Sequence, residues 1–168
     1  MTSPSEFNLA NVKDQTHFPD LSGGTHVVSI KGLPEVYNSV GEGGRSFGNT
    51  LSLNVVVQQS ATLPAGHQAR IRIKGQGMWH DAPVNPDGSS NLEKSSGYRF
   101  LQQLRSVLLT LSGNVGKQLS EAEMNALQVQ LLTGQMDGRT MLVGAKEKTG
   151  RTSKLGYTTY KFSPFQAK

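Results

Sequence analysis

Hydrophobic and polar residues alternate along two stretches in the first half of the chain, and each stretch predicts a β-strand. The stretch 47–59 places five apolar residues on one side: Phe47, Leu51, Leu53, Val55 and Val57. The stretch 68–77 alternates apolar residues with three cations: Arg70, Arg72 and Lys74. A period of two puts one set on the core face of a sheet and the other on its outer face. With the β-branched run at 25–33, these stretches predict a three-strand meander.

The spacing changes to that of a helix over 98–113, where apolar residues recur every three or four positions. The predicted apolar stripe consists of Tyr98, Leu101, Leu104, Leu108 and Leu111. A serine before the first turn and Gly113 after the last are suitable caps. A second helix is predicted from Ser120, which forms a capping box with Glu123, to Gly134. We expect both helices to have a structural role.

Two more strands are predicted at 138–147 and 155–162, joined by a basic loop. Five strands with the helices between the third and the fourth is the connectivity of the OB fold, a Greek-key barrel. The sequence therefore predicts a mainly β domain, a five-stranded OB-fold barrel with one or two helices between strands 3 and 4. We expect this single domain to span 25–165 and a flexible N-terminal arm to span 1–24.

In an OB fold, the loops after strands 1 and 4 and the face of strands 2 and 3 bind oligonucleotides or oligosaccharides. In this chain the two loops fall at 34–46 and 148–154. The basic loop between the last two strands is therefore placed where the fold binds its ligands.

The charge of the chain favours polyanionic partners. Lys and Arg number 17 against 12 Asp and Glu, which gives a net charge of +5 and a pI near 9.6. The chain contains no cysteine, which excludes disulfides and thiolate metal sites. The sequence shows neither a secretory signal nor an apolar run long enough to cross a membrane. We expect a soluble cytoplasmic protein without a membrane partner.

Two glycine-containing stretches resemble phosphate-binding loops but lack their essential features. GAKEKTGRT, from Gly144, has its glycines one residue too far apart for a Walker A loop, and Arg151 stands where lysine is required. GQGMWH, at 75–80, lacks the last glycine of a dinucleotide fingerprint and a following helix. The pair His80-Asp81 has no second metal ligand at a suitable spacing, and a solvated loop histidine is the alternative. We therefore expect no enzymatic activity, no cofactor and no metal.

The cations instead form two groups suited to phosphate contacts. Arg70, Arg72 and Lys74 alternate along one strand, so successive charges lie about 7 Å apart on the same side. The last two strands and their loop add five more: Lys146, Lys148, Arg151, Lys154 and Lys161. Arg45, in a glycine-rich loop, could close over a bound strand. The alternative is a charged strand face that only prevents edge-to-edge association.

Aromatic residues near these cations are candidates for stacking on bases. Trp79 follows the basic strand, and the last strand carries Tyr157 and Tyr160 in opposite alternation. If Tyr160 and Phe162 face the core, then Tyr157 and Lys161 face outward, and the other register exposes Tyr160 instead. For each aromatic residue, burial in the core is the alternative.

Three features of the chain belong together: the strand order, the segment YRFLQQLRSVL with a second small helix after it, and the closing strand ending in YKFSPF. In these features the chain resembles the single-stranded DNA-binding proteins of tailed bacteriophages. The resemblance implies an OB fold and sequence-independent coating of single strands in replication or recombination, in the cytoplasm of a host cell. Many single-strand binders carry an acidic C-terminal tail that recruits partner enzymes. This chain ends in FSPFQAK, aromatic and basic, so the resemblance does not extend to such a tail.

The sequence thus predicts a non-catalytic protein that binds single-stranded DNA through phosphate contacts and base stacking. RNA as a ligand, a homodimer, and contacts with replication or recombination proteins stay open. The alternative function is that of a phage-type accessory protein, which binds and inhibits a host protein through the same basic surface. A third function, sugar binding, suits the cationic surface less well.

Overall fold

The computed structural model describes residues 18–40, 46–149 and 156–165. Its six strands are β1 (Gly24–Ile30), β2 (Glu35–Val40), β3 (Ser46–Ser60), β4 (Gln68–Gln76), β5 (Thr140–Thr149) and β6 (Gly156–Ser163). Two helices, α1 (Ser96–Ser112) and α2 (Glu121–Leu132), lie between β4 and β5 along the chain. The prediction of a mainly β protein with helices between the meander and the last two strands is confirmed.

The long strand β3 organises the sheet, because it pairs along both of its edges. One edge pairs antiparallel with β4, and the other pairs with β2 over its first half and with β1 over its second half. β1 then pairs with β5, and β5 pairs with β6, all antiparallel. The sheet therefore runs from β4 through β3, β1 and β5 to β6, with β2 continuing the line of β1.

The predicted number of five strands is wrong, because β2 lies in the segment 34–46 that the sequence assigns to a loop. β2 offers no core pattern that the sequence could reveal, since Val36 is 52% exposed. Its position is set by backbone pairing instead: β3 is 15 residues long and extends beyond the end of β1, which leaves an edge free for a second segment.

The apolar faces of β3 and β4 form the core, as their alternation predicts. The buried apolar residues of these two strands are Leu51, Leu53, Val55, Val57, Ala69, Ile71 and Ile73. α1 packs on this core through Phe100, Leu104, Val107, Leu108 and Leu111. The assignment of Leu101 to the buried stripe is wrong, because it is 47% exposed and Phe100 occupies the core position beside it.

Both predicted helix starts are confirmed by their caps. The Ser95 hydroxyl accepts a hydrogen bond from the backbone N–H of Tyr98 at 3.1 Å, and Gly113 ends α1 with φ of 73°. Ser120 and Glu123 form the reciprocal capping box that starts α2. These bonds satisfy backbone donors that a helix start leaves without partners.

The last residues of the predicted N-terminal arm are packed against the domain. The Leu21 N–H donates to the Arg70 carbonyl at 2.9 Å, and the Arg70 N–H donates to the Pro19 carbonyl at 2.9 Å. The Leu21 side chain is fully buried in the core. The ring Nε2 of the buried His26 donates to the Ser22 carbonyl at 2.8 Å and anchors the same segment. Residues 1–17 of the predicted arm lie outside the described residues.

The two outer strands, β4 and β6, do not pair with each other within the described ranges. α1 packs against both strands, and residues 19–21 lie along the edge of β4. The Tyr160 hydroxyl of β6 donates to the Leu21 carbonyl at 3.3 Å and connects the two sides. We call this region between β4 and β6 the seam. In the part of the chain that the structure describes, no helix has the length and hydropathy needed to cross a membrane.

Leu21→Ala should destabilise the fold by about 2–5 kcal/mol, because truncating a fully buried leucine leaves a cavity. Leu101→Ala is the matched control, and its cost should stay within about 0.5 kcal/mol because Leu101 is largely exposed. Urea unfolding monitored by circular dichroism measures both variants. Equal stability of the two would show that residues 18–22 do not contribute to the core.

Candidate nucleic-acid interface

The cationic row of β4 is partly neutralised by Asp20, a residue of the segment packed at the seam. Its Oδ1 accepts hydrogen bonds from Arg70 Nε at 3.0 Å and from Arg72 Nε at 2.9 Å. Its Oδ2 accepts a third bond, from Arg72 Nη2 at 2.5 Å. The row of cations has no acid within its own strand, but the carboxylate of Asp20 contacts it from another segment. Two of the three cations are therefore paired.

The ion pairs alter the protonation of both partners. Burial alone would raise the pKa of Asp20, but hydrogen bonds and attraction from Arg72 and Arg70 outweigh it, so the pKa lies below 3.8. Burial likewise disfavours the charged Arg72, while Asp20 and the Tyr37 hydroxyl raise its pKa above the ordinary value. Asp20 and Arg72 therefore both stay charged at neutral pH.

Lys74, the third cation of the row, has no close counter-ion in the part of the chain that the structure describes. Partial burial and the positive charges of Arg72 and Arg70 lower its pKa, and Asp20 offsets only part of this effect. Among the described residues, no acidic oxygen lies within 4.0 Å of its ammonium group. An anion placed beside Lys74 would therefore be stabilised by a charge that no described acid pairs with.

Lys74 and Arg72 line a cleft of about 420 Å³ at the seam. Its walls come from β4, β6, the start of α1 and Asp20, and its remaining lining residues are Ser96, Arg99, Gln103, Thr158, Thr159 and Tyr160. Among the described lining residues, Arg72, Lys74 and Arg99 stand against the single carboxylate of Asp20, an excess of two positive charges. The cleft can therefore hold an anionic group between two strands and a helix.

The described lysines predicted as site residues in the last two strands lie on β5 and on β6. Lys146 and Lys148 of β5 are exposed, and Lys146 lies opposite Thr159, a lining residue of the cleft. Lys161 is also exposed and lines a smaller cleft beside the first. These cations extend the positive surface from the seam across β6 to β5.

Tyr160 faces the core, which is the first of the two registers that the sequence allows. Its ring stacks on Phe162 with centroids 6.4 Å apart, and burial raises the pKa of its hydroxyl to about 12. Tyr160 therefore offers a wall to the cleft rather than a free platform for a base.

Trp79 is the aromatic candidate with an accessible surface. It is 39% exposed, and its indole rests against the start of α1, where a Cβ at Gly97 would lie 3.1 Å from the ring atom Cδ2. Glycine at 97 thus permits the close approach of the indole to the helix. Trp79 does not line the cleft, so stacking on it would extend the site beyond the seam.

Several predicted site residues lie outside the described residues, and their roles stay predictions. These are Arg45, Arg151 and Lys154, together with the side chain of Tyr157. The side chain of Phe47, which the sequence assigns to the apolar side of its strand, also lies outside them.

The sequence reasoning missed Asp20, Arg99 and Gln103 as parts of the site. The only signal for the two α1 residues is the polar side of the helical pattern, which does not reveal what that side faces. Asp81, considered with His80 as part of a metal or acid–base site, instead accepts hydrogen bonds from the Ser96 N–H and hydroxyl at the start of α1.

No group of three or more metal-ligating side chains occurs within 18–40, 46–149 and 156–165. No protein-family model matches the chain, and no curated protein matches it. The site's own geometry is therefore the basis for the functional proposal.

Asp20→Asn should reduce stability at neutral pH by no more than about 1 kcal/mol, because the paired groups remain partly exposed. Since the folded pKa of Asp20 is depressed, its ion pairs stabilise the protein above pH 3.8 and lose this effect as the pH falls through the folded value. The stability difference between wild type and variant should therefore shrink in acid. Urea titrations at pH 7 and near pH 3 measure it, and a constant difference would contradict the assigned ion pairs.

Proposed function

We propose that this protein binds single-stranded DNA non-catalytically and with little sequence preference, by phosphate contacts supplemented by base stacking. The observation that carries the proposal is the cationic cleft at the seam, where Arg72, Lys74 and Arg99 face one carboxylate. Phosphate groups are the anions that arginine and lysine side chains in such an arrangement bind well. A role in replication or recombination follows from the resemblance to phage single-strand binders.

The cations available to a bound DNA strand differ in whether an acidic side chain already pairs with them. Lys74, Lys146, Lys148 and Lys161 have no ion-pair partner among the described residues, so phosphates reach them without displacing an acid. Arg70 and Arg72 are bound to Asp20, whose two oxygens take the place that two phosphate oxygens would take. A phosphate at this point competes with Asp20, and the free cations provide the first contacts.

We further propose that the sheet is an OB-type barrel left open at the seam. In support, β1, β3 and β4 form the meander, the helices follow β4, and β5 connects β1 with β6. OB barrels are partly open Greek-key barrels, and their strand 2–3 face binds oligonucleotides. On this proposal that face would correspond to β3 and β4, and β4 carries Arg70, Arg72 and Lys74.

Fluorescence anisotropy of labelled oligo-dT, compared with a duplex of equal length, tests the proposal. We expect the single strand to be preferred, log Kd to change linearly with log salt, and Trp79 emission to be quenched on binding. Equal or millimolar affinity for both forms at physiological salt would contradict the proposal. A stoichiometric complex with an acidic host protein would then support the inhibitor function instead.

Lys74→Gln should weaken oligo-dT binding about threefold to tenfold and reduce the salt slope by about 0.7, since one phosphate contact is lost. Lys117→Gln is the matched control: it removes the same charge from an exposed lysine that does not line the cleft. Anisotropy titrations at several salt concentrations measure both variants. Equal losses in the two would mean that net charge, rather than the cleft, determines binding.

Asp20→Asn should raise the affinity for oligo-dT about threefold or more, because it removes the carboxylate that competes with phosphate for Arg70 and Arg72. The same anisotropy titration measures the change, and the variant's unfolding curve controls for its fold. Unchanged or weaker binding by a folded variant would show that Asp20 only anchors its segment.

A further inference from the structure

We propose that α1 is a wall of the nucleic-acid site, with Arg99 and Gln103 contacting a strand that runs through the seam along the helix. This inference rests on the proposed function and extends it to an element that the sequence assigns only to the core. Its ligand is the sugar–phosphate backbone of a single strand.

The path is defined by two adjoining clefts that share Arg99, Gln103 and Tyr160. The first, of about 420 Å³, reaches from the cations of β4 to α1, and the second, of about 260 Å³, continues between α1 and β6 to Lys161. Ser106 lines the far end of the second cleft. Together they form a groove with cations at its start, in its middle and near its end.

The groove fits a polymer better than a small anion. From Ser96 to Ser106, α1 rises about 15 Å, several times the size of one phosphate group. The α1 side chains that line it all carry hydrogen-bonding groups: Ser96, Arg99, Gln102, Gln103 and Ser106. A row of donors spaced along one direction suits the repeated oxygens of a strand.

The side chains of α1, rather than its backbone, would bind the strand. The first four N–H groups of the helix already have protein acceptors: Asp81, the Met78 carbonyl, the Ser95 hydroxyl and the Ser95 carbonyl. The Arg99 side chain, in contrast, has no hydrogen bond or ion pair within 4.0 Å to any described residue, although Asp81 attracts it from a longer distance. Its guanidinium is therefore free to bind phosphate oxygens.

Arg99→Gln and Arg105→Gln form a matched pair that tests the inference. Both residues are exposed arginines of α1, but only Arg99 lines the clefts. Arg99→Gln should weaken oligo-dT binding about threefold to tenfold and reduce the salt slope by about 0.7, whereas Arg105→Gln should match wild type. Arg99→Lys should retain most of the slope, because it keeps the charge. Circular dichroism melting curves of each variant control for folding.

The outcomes separate this inference from the proposed function. If folded Arg99→Gln binds like wild type while Lys74→Gln binds more weakly, the α1 wall is overturned and the proposed function stands. Equal losses in Arg99→Gln and Arg105→Gln also overturn it, since they would reflect net charge alone. If wild type does not prefer single strands, both fail. Competition by inorganic phosphate at millimolar concentration would identify a small-anion site and overturn the polymer path.

Discussion

The free edge of β4 is the constraint on which the arrangement at the seam depends. Backbone groups at a sheet edge need partners, and here residues 19–21 supply them for Arg70 while α1 covers the strand beyond. The close contact of α1 requires glycine at 75, since a Cβ there would lie 3.0 Å from the Ser96 carbonyl oxygen, and its φ is +101°. The same packing that covers this edge therefore brings the helix and the N-terminal segment beside the cations of β4.

Regular secondary structure sets the backbone positions of the cleft's charged residues. Arg72 and Lys74 project from a paired strand, and Arg99 projects from the first turn of a capped helix. Like charges held together repel each other, and this repulsion adds to partial burial, the larger cause, in lowering the pKa of Lys74. Asp20 relieves part of it, so one carboxylate both stabilises the folded chain and limits the charge that the cleft presents to a ligand.

Local patterns in the sequence predict the elements, but not the contacts between distant elements. The alternation of Leu51 to Val57 and the serine caps depend on neighbours in the chain, so they predict β3 and both helix starts. The described side chains of β2 are exposed or only partly buried, and the length of β3 defines its position. Choosing Phe100 over Leu101 requires knowing where the core lies. Asp20 and Arg70 are 50 residues apart, and no spacing rule connects them.

The hydrogen bond between Tyr160 and Leu21 joins residues 139 positions apart. The cleft is thus assembled from segments near both ends of the domain's sequence, together with β4 and α1 from its middle. Long-range closures of this kind are slow steps in folding, because local structure forms before distant segments meet. β4 and α1 precede β6 in the chain and emerge before it during synthesis, but the cleft cannot form until β6 has followed. The cleft is therefore a property of the finished domain alone, and a chain truncated before β6 would keep Arg72, Lys74 and Arg99 but lose Lys161 and the wall that Tyr160 provides.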